Sequence, residues 1–187
     1  MRLSVFWALA GPDDELFSDE IVTEFLALQL RSTLELIAIS AFVANRTAYE
    51  DAFEKLRAHM RLRSVVRNLK AIHANFFPWA RRFTTTFFPD GSRQHHGAMP
   101  PDDLPILTEN ELLRAHERCN NSLHIRNPFV SPLGSMEQRR YFLEIARKSE
   151  NLMEQHVVHL AGISEKRFVH LNYGEKRSVH VFSLSPQ

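Results

Sequence analysis

The sequence predicts a mainly α-helical fold, a bundle of four to six helices that carries a β-hairpin near its C-terminal end. Between Ser18 and Leu160 the apolar residues recur mostly at the three- and four-residue spacing of helices. After about residue 167 the spacing changes to the alternation of strands. The 187 residues are 44% hydrophobic and carry a net charge of +1, which is typical of one soluble globular domain. We therefore expect a single domain over 1–187, with its helical core at about 18–160.

The first long helix is expected from about Ser18 to Ala44, because its apolar residues cover more than one narrow stripe. They are Ile21, Val22, Phe25, Leu26, Leu28, Leu34, Ile37, Ile39 and Phe42. The stretch Asn45-Arg-Thr47 offers a stop and a new cap, and a second helix is expected through Tyr49, Phe53, Leu56 and Met60. A third runs through Val65, Val66, Leu69 and Ile72 and ends before Pro78, since the residue before a proline avoids the helical region.

Residues 79–107 contain four prolines and two glycines and are predicted to form a long loop. Loops of that length are usually functional or mobile, so the segment is either a lid or partner-binding surface or a plain connection. Two later helices open with capping boxes, Thr108 to Glu111 and Ser135 to Gln138, and are expected to end near His124 and Leu160. The hairpin is expected over about 167–184, with its turn at Gly174-Glu-Lys-Arg177.

Several common sites are excluded by inspection of the sequence. It contains no Cys-x-x-Cys, His-Glu-x-x-His or Glu-x-x-His motif and no glycine-rich phosphate loop, so we predict neither a metal nor a cofactor. Histidine and cysteine side chains do occur at neighbouring helical positions (His116, Cys119 and His124; His156 and His159), but neither group offers four ligands. Cys119 is the single cysteine, and a lone helical cysteine is more often a small buried hydrophobe than a nucleophile.

The N-terminal ten residues have the basic and apolar pattern of a signal peptide but are too short for one. The longest apolar run elsewhere, Leu36 to Ala44, is about half of the ~20 residues that a membrane helix needs. We expect a cytoplasmic protein without a membrane partner. Its near-neutral charge argues against a constitutive nucleic-acid binder, although Arg57, Arg61, Arg63, Arg67 and Lys70 form a local basic patch.

The segment from Arg118 to Phe129 is rich in arginine, asparagine, serine and histidine, and its helix is expected to stop at Pro128. An arginine and a histidine about one and a half turns apart can serve one phosphate, the arginine as a fixed cation and the histidine as a proton carrier. Arg118, five intervening residues and His124 resemble the Arg-x(4–6)-His signature of the HEPN superfamily of helical ribonucleases and nucleotide-binding proteins.

The resemblance implies a homodimer in which both protomers bring this pair to one cleft and cleave RNA without a metal, as toxins or phage-defence proteins. His124 would act as general acid or base, and Arg118 would stabilise charge on phosphorus while a ribose 2′-hydroxyl attacks. The nearby amides of Asn120, Asn121 and Asn127 would orient the histidine or the phosphate.

Other assignments stay open. Arg67, Asn68 and His73 form a second Arg-x5-His match in a more basic helix, which could also bind a nucleotide phosphate. Arg31 and Glu35 either reach the His124 cluster and support it or form a solvated helix face. The alternative function is a non-catalytic interaction or regulatory subunit that binds a protein through loop 79–107 and the aromatic residues Phe76, Phe77, Phe87 and Phe88.

Overall fold

The computed structural model describes residues 2–9, 19–45, 61–123, 135–162, 166–172 and 178–184. Within these ranges the helices, numbered in chain order, are α1 (Arg2–Leu9), α2 (Asp19–Ala44), α3 (Leu62–Ile72), α4 (Glu109–Leu123) and α5 (Ser135–Glu154). The strands are β1 (Trp79–Ala80), β2 (Arg82–Phe87), β3 (Arg93–Ala98), β4 (Gln155–His159), β5 (Lys166–Asn172) and β6 (Ser178–Leu184). The predicted second helix, with Tyr49, Phe53, Leu56 and Met60, lies outside the described residues.

The fold is mixed α/β, so the prediction of a mainly helical bundle is wrong. Strands β1, β4, β5 and β6 form a four-stranded antiparallel sheet in that order, and β2 pairs with β3 in a second, two-stranded sheet. Residues 155–159 were expected to be the last turns of a helix, but α5 ends at Glu154 and β4 follows at once. Val157 and Val158 are β-branched and buried, and β4 has strands on both sides, so packing and pairing outweigh the helical pattern.

The prediction of a long loop over 79–107 is also wrong, because strands β1, β2 and β3 occupy much of its first 20 residues. β2 and β3 pair from Arg82 opposite Ala98 to Phe87 opposite Arg93. The sequence of β2, Arg-Phe-Thr-Thr-Thr-Phe, is rich in strand-favouring residues, and the four prolines of residues 79–107 lie outside the strands. Gly91 has a φ of +82° in the connecting turn, where the Asp90 carboxylate accepts a hydrogen bond from the Ser92 backbone N–H at 2.8 Å.

The C-terminal hairpin is present as β5 and β6, which pair from Lys166 opposite Leu184 to Asn172 opposite Ser178. The hairpin is the outer half of the four-stranded sheet. Phe168 of β5 is buried, and its ring stacks on the rings of Phe83 and Phe182 at centroid distances of 3.6 and 5.9 Å. The contact between Phe168 of β5 and Phe83 of β2 attaches the smaller sheet to the larger one.

Helix α2 is the centre of the helical layer and packs against α1, α3, α4 and α5. Leu26, Leu30 and Leu34, spaced one turn apart, are fully buried in the common core. By length and composition α2 is apolar enough to cross a membrane, yet half of its most apolar window is buried inside the protein. The central helix of a globular core passes the same test of length and composition, so α2 is weak support for a membrane span.

Helix α4 begins at the predicted capping box, which is confirmed. The Thr108 backbone N–H donates to Glu111 Oε2 at 2.9 Å, and the Glu111 backbone N–H donates to Thr108 Oγ1 at 3.3 Å. Lys148 of α5 donates to Glu111 Oε1 at 2.8 Å. These bonds fix the start of α4 against α5, and with it the direction in which the α4 side chains further along the helix point.

His156 of β4 should make the protein less stable in mild acid. Burial lowers its pKa from the usual value of 6.5, although its ring Nδ1 donates to the Met153 carbonyl, which acts in the opposite direction. Below about pH 6.5 this histidine is therefore protonated more readily in the unfolded chain than in the folded protein. As the pH falls, the free energy of unfolding decreases by up to ~1.4 kcal/mol per pH unit. We expect His156→Asn to show a smaller loss than the unmodified protein between pH 7 and pH 5 in urea unfolding.

The control for this experiment is His96→Asn, which changes an exposed histidine of β3. Its unfolding free energy should depend on pH as that of the unmodified protein does. An unchanged pH dependence in His156→Asn would contradict the assignment of acid sensitivity to His156.

Candidate active site

Helices α2 and α4 bring four polar side chains into one line. Glu35 Oε1 accepts a hydrogen bond from Arg31 Nε at 3.0 Å and another from His116 Nε2 at 3.0 Å. Asn120 Nδ2 lies 3.3 Å from His116 Nδ1. Because Arg31 and Glu35 on α2, and His116 and Asn120 on α4, are each four residues apart, each pair shares one helix face. The contact of α2 with α4 joins the two pairs.

The hydrogen bonds define which ring nitrogen of His116 carries the proton. A carboxylate only accepts hydrogen bonds, so Nε2 carries the hydrogen that points to Glu35. The amide nitrogen of Asn120 only donates, so Nδ1 of the neutral ring accepts from it. The His116 side chain is 13% exposed and that of Glu35 is 36% exposed, so solvent screens their interaction only in part. His116 is therefore an oriented imidazole whose basic atom is Nδ1.

Glu35 remains a carboxylate at neutral pH. Burial would raise its pKa, but the hydrogen bonds from His116 and then Arg31 outweigh this, and the pKa is lowered from its usual value of 4.5. A carboxylate that bonds the far nitrogen of an imidazole holds the ring in place and stabilises its protonated form. The pair of Glu35 and His116 is thus suited to accept a proton at Nδ1 and to release it.

A cavity of about 310 Å³ opens beside this pair. The start of α3 contributes two cationic residues to its wall, Arg61 and Arg63, which flank the buried Leu62. The full lining consists of Arg31, Glu35, Arg61, Leu62, Arg63, Leu113, His116, Glu117 and Asn120. Arg63 donates to Glu117 at 2.9 Å, but both side chains are more than 60% exposed. Solvent therefore weakens this ion pair, and Arg63 can release Glu117 to bind another anion.

The first turn of α3 adds positive potential to the same wall. Arg61 is the N-cap residue and its side chain caps no backbone N–H. A helix N-terminus carries a partial positive charge, which here adds to the charges of Arg31, Arg61 and Arg63. The three arginines outnumber the two carboxylates of the lining, Glu35 and Glu117, so the cavity is suited to an anion, and its wall holds an imidazole that can transfer a proton.

The predicted pair of Arg118 and His124 is only half visible, since His124 and Asn127 lie outside the described residues. Arg118 follows His116 by two residues and so points about 200° away around α4. Its guanidinium carbon lies 4.1 Å from the centroid of the Tyr141 ring. Its Nε and Nη2 atoms are buried and have no hydrogen-bond partner among the described residues.

Of the predicted supporting residues, three reach the candidate site and one points elsewhere. Arg31 and Glu35 were expected either to reach the His124 cluster or to form a solvated face. They line the cavity, and Glu35 bonds α4 at His116, eight residues before His124. Asn120 contacts His116, whereas Asn121 is exposed.

The structure does not bring the two residues of the second Arg-x5-His match together. Arg67 is exposed on α3, while His73 is the half-buried residue that ends the helix, six positions later on another face. The His73 ring lies 6.4 Å from the ring of His159, on the side of the sheet. Lys70 of the predicted basic patch is bound to Glu109 at 3.0 Å, and Arg57 lies outside the described residues.

Sequence reasoning missed His116, Arg61 and Arg63 as site residues. His116 appeared only as a neighbour of Cys119, and Arg61 and Arg63 only as members of a basic patch. One signal was available, namely the polar residues Arg31 and Glu35 inside a strongly apolar helix. Such residues need a partner, and a search for a histidine that faces α2 from a later helix would have found His116.

Cys119 is buried on α4, and burial raises the pKa of its thiol to about 12. The thiolate, which is the nucleophilic form, is therefore scarce at neutral pH. Among the described residues no three histidine, cysteine, aspartate or glutamate side chains converge as a metal site. His156 and His159 were predicted to lie one turn apart on a helix. They belong to β4 instead, and because strand side chains alternate, they lie on opposite faces of it.

No protein-family model, curated protein or solved structure matches this chain. The function must therefore be inferred from the geometry of the cavity and from the chemistry of its walls.

Proposed function

We propose that the protein is a metal-independent endoribonuclease, of toxin or phage-defence type, and that His116 is its proton carrier. The observation that supports this most is the bond between His116 Nε2 and Glu35 Oε1 at 3.0 Å, made in the wall of a cavity that three arginines also line. An oriented imidazole beside fixed cations is the equipment that cleavage of a phosphodiester requires.

In the proposed reaction the Asn120 amide releases His116 Nδ1, a ribose 2′-hydroxyl gives its proton to that nitrogen, and the hydroxyl oxygen attacks the adjacent phosphorus. The bond from phosphorus to the 5′ oxygen of the next nucleotide breaks. That oxygen takes a proton from the imidazolium or from water. The products are a 2′,3′-cyclic phosphate and a free 5′-hydroxyl. The Glu35 carboxylate stabilises the imidazolium while it exists.

The arginines would stabilise the charge that builds on the phosphate oxygens. Arg61 and Arg63 stand on one side of the cavity and Arg31 on another. A guanidinium is charged throughout the physiological pH range and matches the geometry of phosphate oxygens. RNA supplies its own nucleophile, so the proposed reaction needs neither a metal nor a reactive serine or cysteine.

The resemblance to HEPN proteins places the same chemistry on Arg118, two residues after His116, and on His124, which follows the last described residue of α4. Both assignments use an arginine and a histidine with RNA as substrate, but they differ in the histidine. The homodimer that the resemblance implies is part of the proposal as well, and sedimentation of the purified protein measures it. Variants must therefore separate His116 from His124.

The purified protein is expected to cleave single-stranded RNA in the presence of a chelator and to leave cyclic phosphate ends. Mass spectrometry of the products identifies these ends. A substrate with 2′-deoxyribose at a single cleavage site should resist cutting there, because the nucleophile is missing. Cleavage only with a divalent metal, or equal cleavage at the deoxy position, would refute the proposal.

A second candidate function is a protein-binding subunit, as the sequence also suggested. The observation that favours it is the β2–β3 hairpin, where Phe87 is 69% and Phe88 41% exposed, with Met99 70% exposed just after β3. Phe76 is buried and Phe77 packs against the core, so these two cannot belong to such a surface. A purified protein that cleaves no RNA would favour this protein-binding function over the ribonuclease.

A further inference from the structure

A second, more apolar cavity of about 210 Å³ adjoins the first one. It is lined by Arg31, Glu35, Ile39, Leu62 and Val65. Both cavities are lined by Arg31, Glu35 and Leu62. The two spaces therefore meet at Arg31 and Glu35, the ion pair whose carboxylate orients His116. The second cavity extends from there along α2 and α3, one turn beyond Glu35 to Ile39 and one turn into α3 to Val65.

We propose that this second cavity is the base subsite of the ribonuclease and that it accepts a purine. The inference rests on the proposed function, because it assigns the neighbouring space to the nucleoside whose 2′-hydroxyl meets His116. A phosphate in the larger cavity places its own nucleoside within one sugar length of it, and this apolar cavity adjoins the larger one, since the two share Arg31, Glu35 and Leu62.

The walls of the cavity match the faces of a nucleobase. Ile39, Leu62 and Val65 are aliphatic, and the flat face of a base is apolar. The space is several times the ~30 Å³ that one water molecule occupies in the liquid, so it can hold a ring system. A two-ring base fills such a space better than a one-ring base and so removes more apolar surface from water.

The mouth of the cavity offers both kinds of hydrogen bond to the edge of the base. Within the described part of the chain, both bonds to the Glu35 carboxylate use Oε1, which leaves Oε2 to accept from an exocyclic amino group or a ring N–H. Arg31 uses Nε for Glu35, and its terminal nitrogens can donate to a ring nitrogen or carbonyl oxygen. Purines present acceptors and donors on one edge.

Ile39→Phe is the most informative change, because it narrows the cavity from a half-buried position on α2 without altering a charged side chain. The ratio of cleavage after purines to cleavage after pyrimidines is measured in RNA of mixed sequence. We expect the unmodified protein to prefer purines and Ile39→Phe to lower this ratio about tenfold, since pocket contacts of this size discriminate by about that factor. Val43→Phe, on an exposed position of the same helix, should leave the ratio unchanged.

Cleavage without a base preference, or an unchanged ratio in Ile39→Phe, overturns the purine subsite while the ribonuclease proposal stands. If the protein cleaves no RNA, calorimetric binding of 3′-AMP and 3′-UMP decides the matter instead. Tighter binding of 3′-AMP that Ile39→Phe weakens supports the subsite on its own. Equal binding of the two nucleotides, or binding of neither, overturns it.

Discussion

His116→Ala is expected to reduce RNA cleavage by about 10²- to 10⁴-fold, the usual contribution of a positioned acid or base. The variant removes the imidazole that Glu35 orients and leaves the three arginines of the cavity wall in place. Substrate binding should therefore change less than the rate of the chemical step. Single-turnover cleavage of a labelled RNA at several substrate concentrations separates these two quantities.

Two matched variants make this result specific to His116. His73→Ala removes a half-buried histidine from the end of α3, away from the cavity, and should cleave at nearly the full rate. His124→Ala tests the position that the HEPN resemblance favours. Full activity in His116→Ala together with loss in His124→Ala would overturn the site described here and return the chemistry to Arg118 and His124.

Loss of folding must be excluded as the cause of any lost activity. His116 is 13% exposed and bonds both Glu35 and Asn120, so its removal will lower stability to some extent. Circular dichroism and thermal unfolding show whether the variant is folded at the assay temperature. His116→Gln serves as a second variant, because it keeps a polar side chain against Glu35 but cannot carry the proton.

The parts of the fold that sequence predicts well are those that neighbouring residues determine. The apolar spacing of α2, the capping box of α4 and the alternation of β6 each lie within one segment and act through local geometry. Strand β4 was missed because its character depends on distant partners. It pairs with β1 about 75 residues earlier and with β5 after it, and the sequence around Val157 does not reveal either.

The candidate site was only partly predictable for the same reason. Arg31 and Glu35 were recognised as unusual charges in an apolar helix, yet their partner His116 lies 81 positions after Glu35. Which histidine faces them depends on the rotation of α4, and that is set by buried contacts such as those of Leu112 and Ala115. The motif Arg118-x5-His124 lies on the helix that also lines the candidate cavity, but the cavity is on the face of His116 and Asn120.

Asn45→Ala is expected to lower the free energy of unfolding by about 2–3 kcal/mol, the largest effect on stability that we predict. Asn45 ends α2 and is 4% exposed. Its Nδ2 donates to the Ala41 carbonyl at 2.9 Å and to the His159 carbonyl at 3.3 Å, and its Oδ1 accepts from the Ala161 backbone N–H. Removing the amide costs these bonds and leaves poorly solvated backbone groups without partners.

These bonds connect the C-terminal end of α2 to the end of β4. Helix α2 also carries Arg31 and Glu35, nearer its middle. The Asn45 side chain therefore links the helical layer to the sheet. Urea unfolding measures the effect, and Ser40→Ala is the control. Ser40 is an exposed residue of α2 whose hydroxyl, within the described ranges, bonds only to the Ile37 carbonyl of its own helix, so its loss should change stability by less than about 0.5 kcal/mol.

Asn45→Asp distinguishes the two halves of the amide. It keeps an oxygen for the Ala161 N–H but loses the donor to Ala41 and His159, and it adds a negative charge at the C-terminal end of α2, where the helix dipole disfavours one. We therefore expect this variant to be no more stable than Asn45→Ala. A stability equal to that of the unmodified protein would mean that the donor bonds contribute nothing, and the connection between α2 and β4 would then depend on the Ala161 N–H alone.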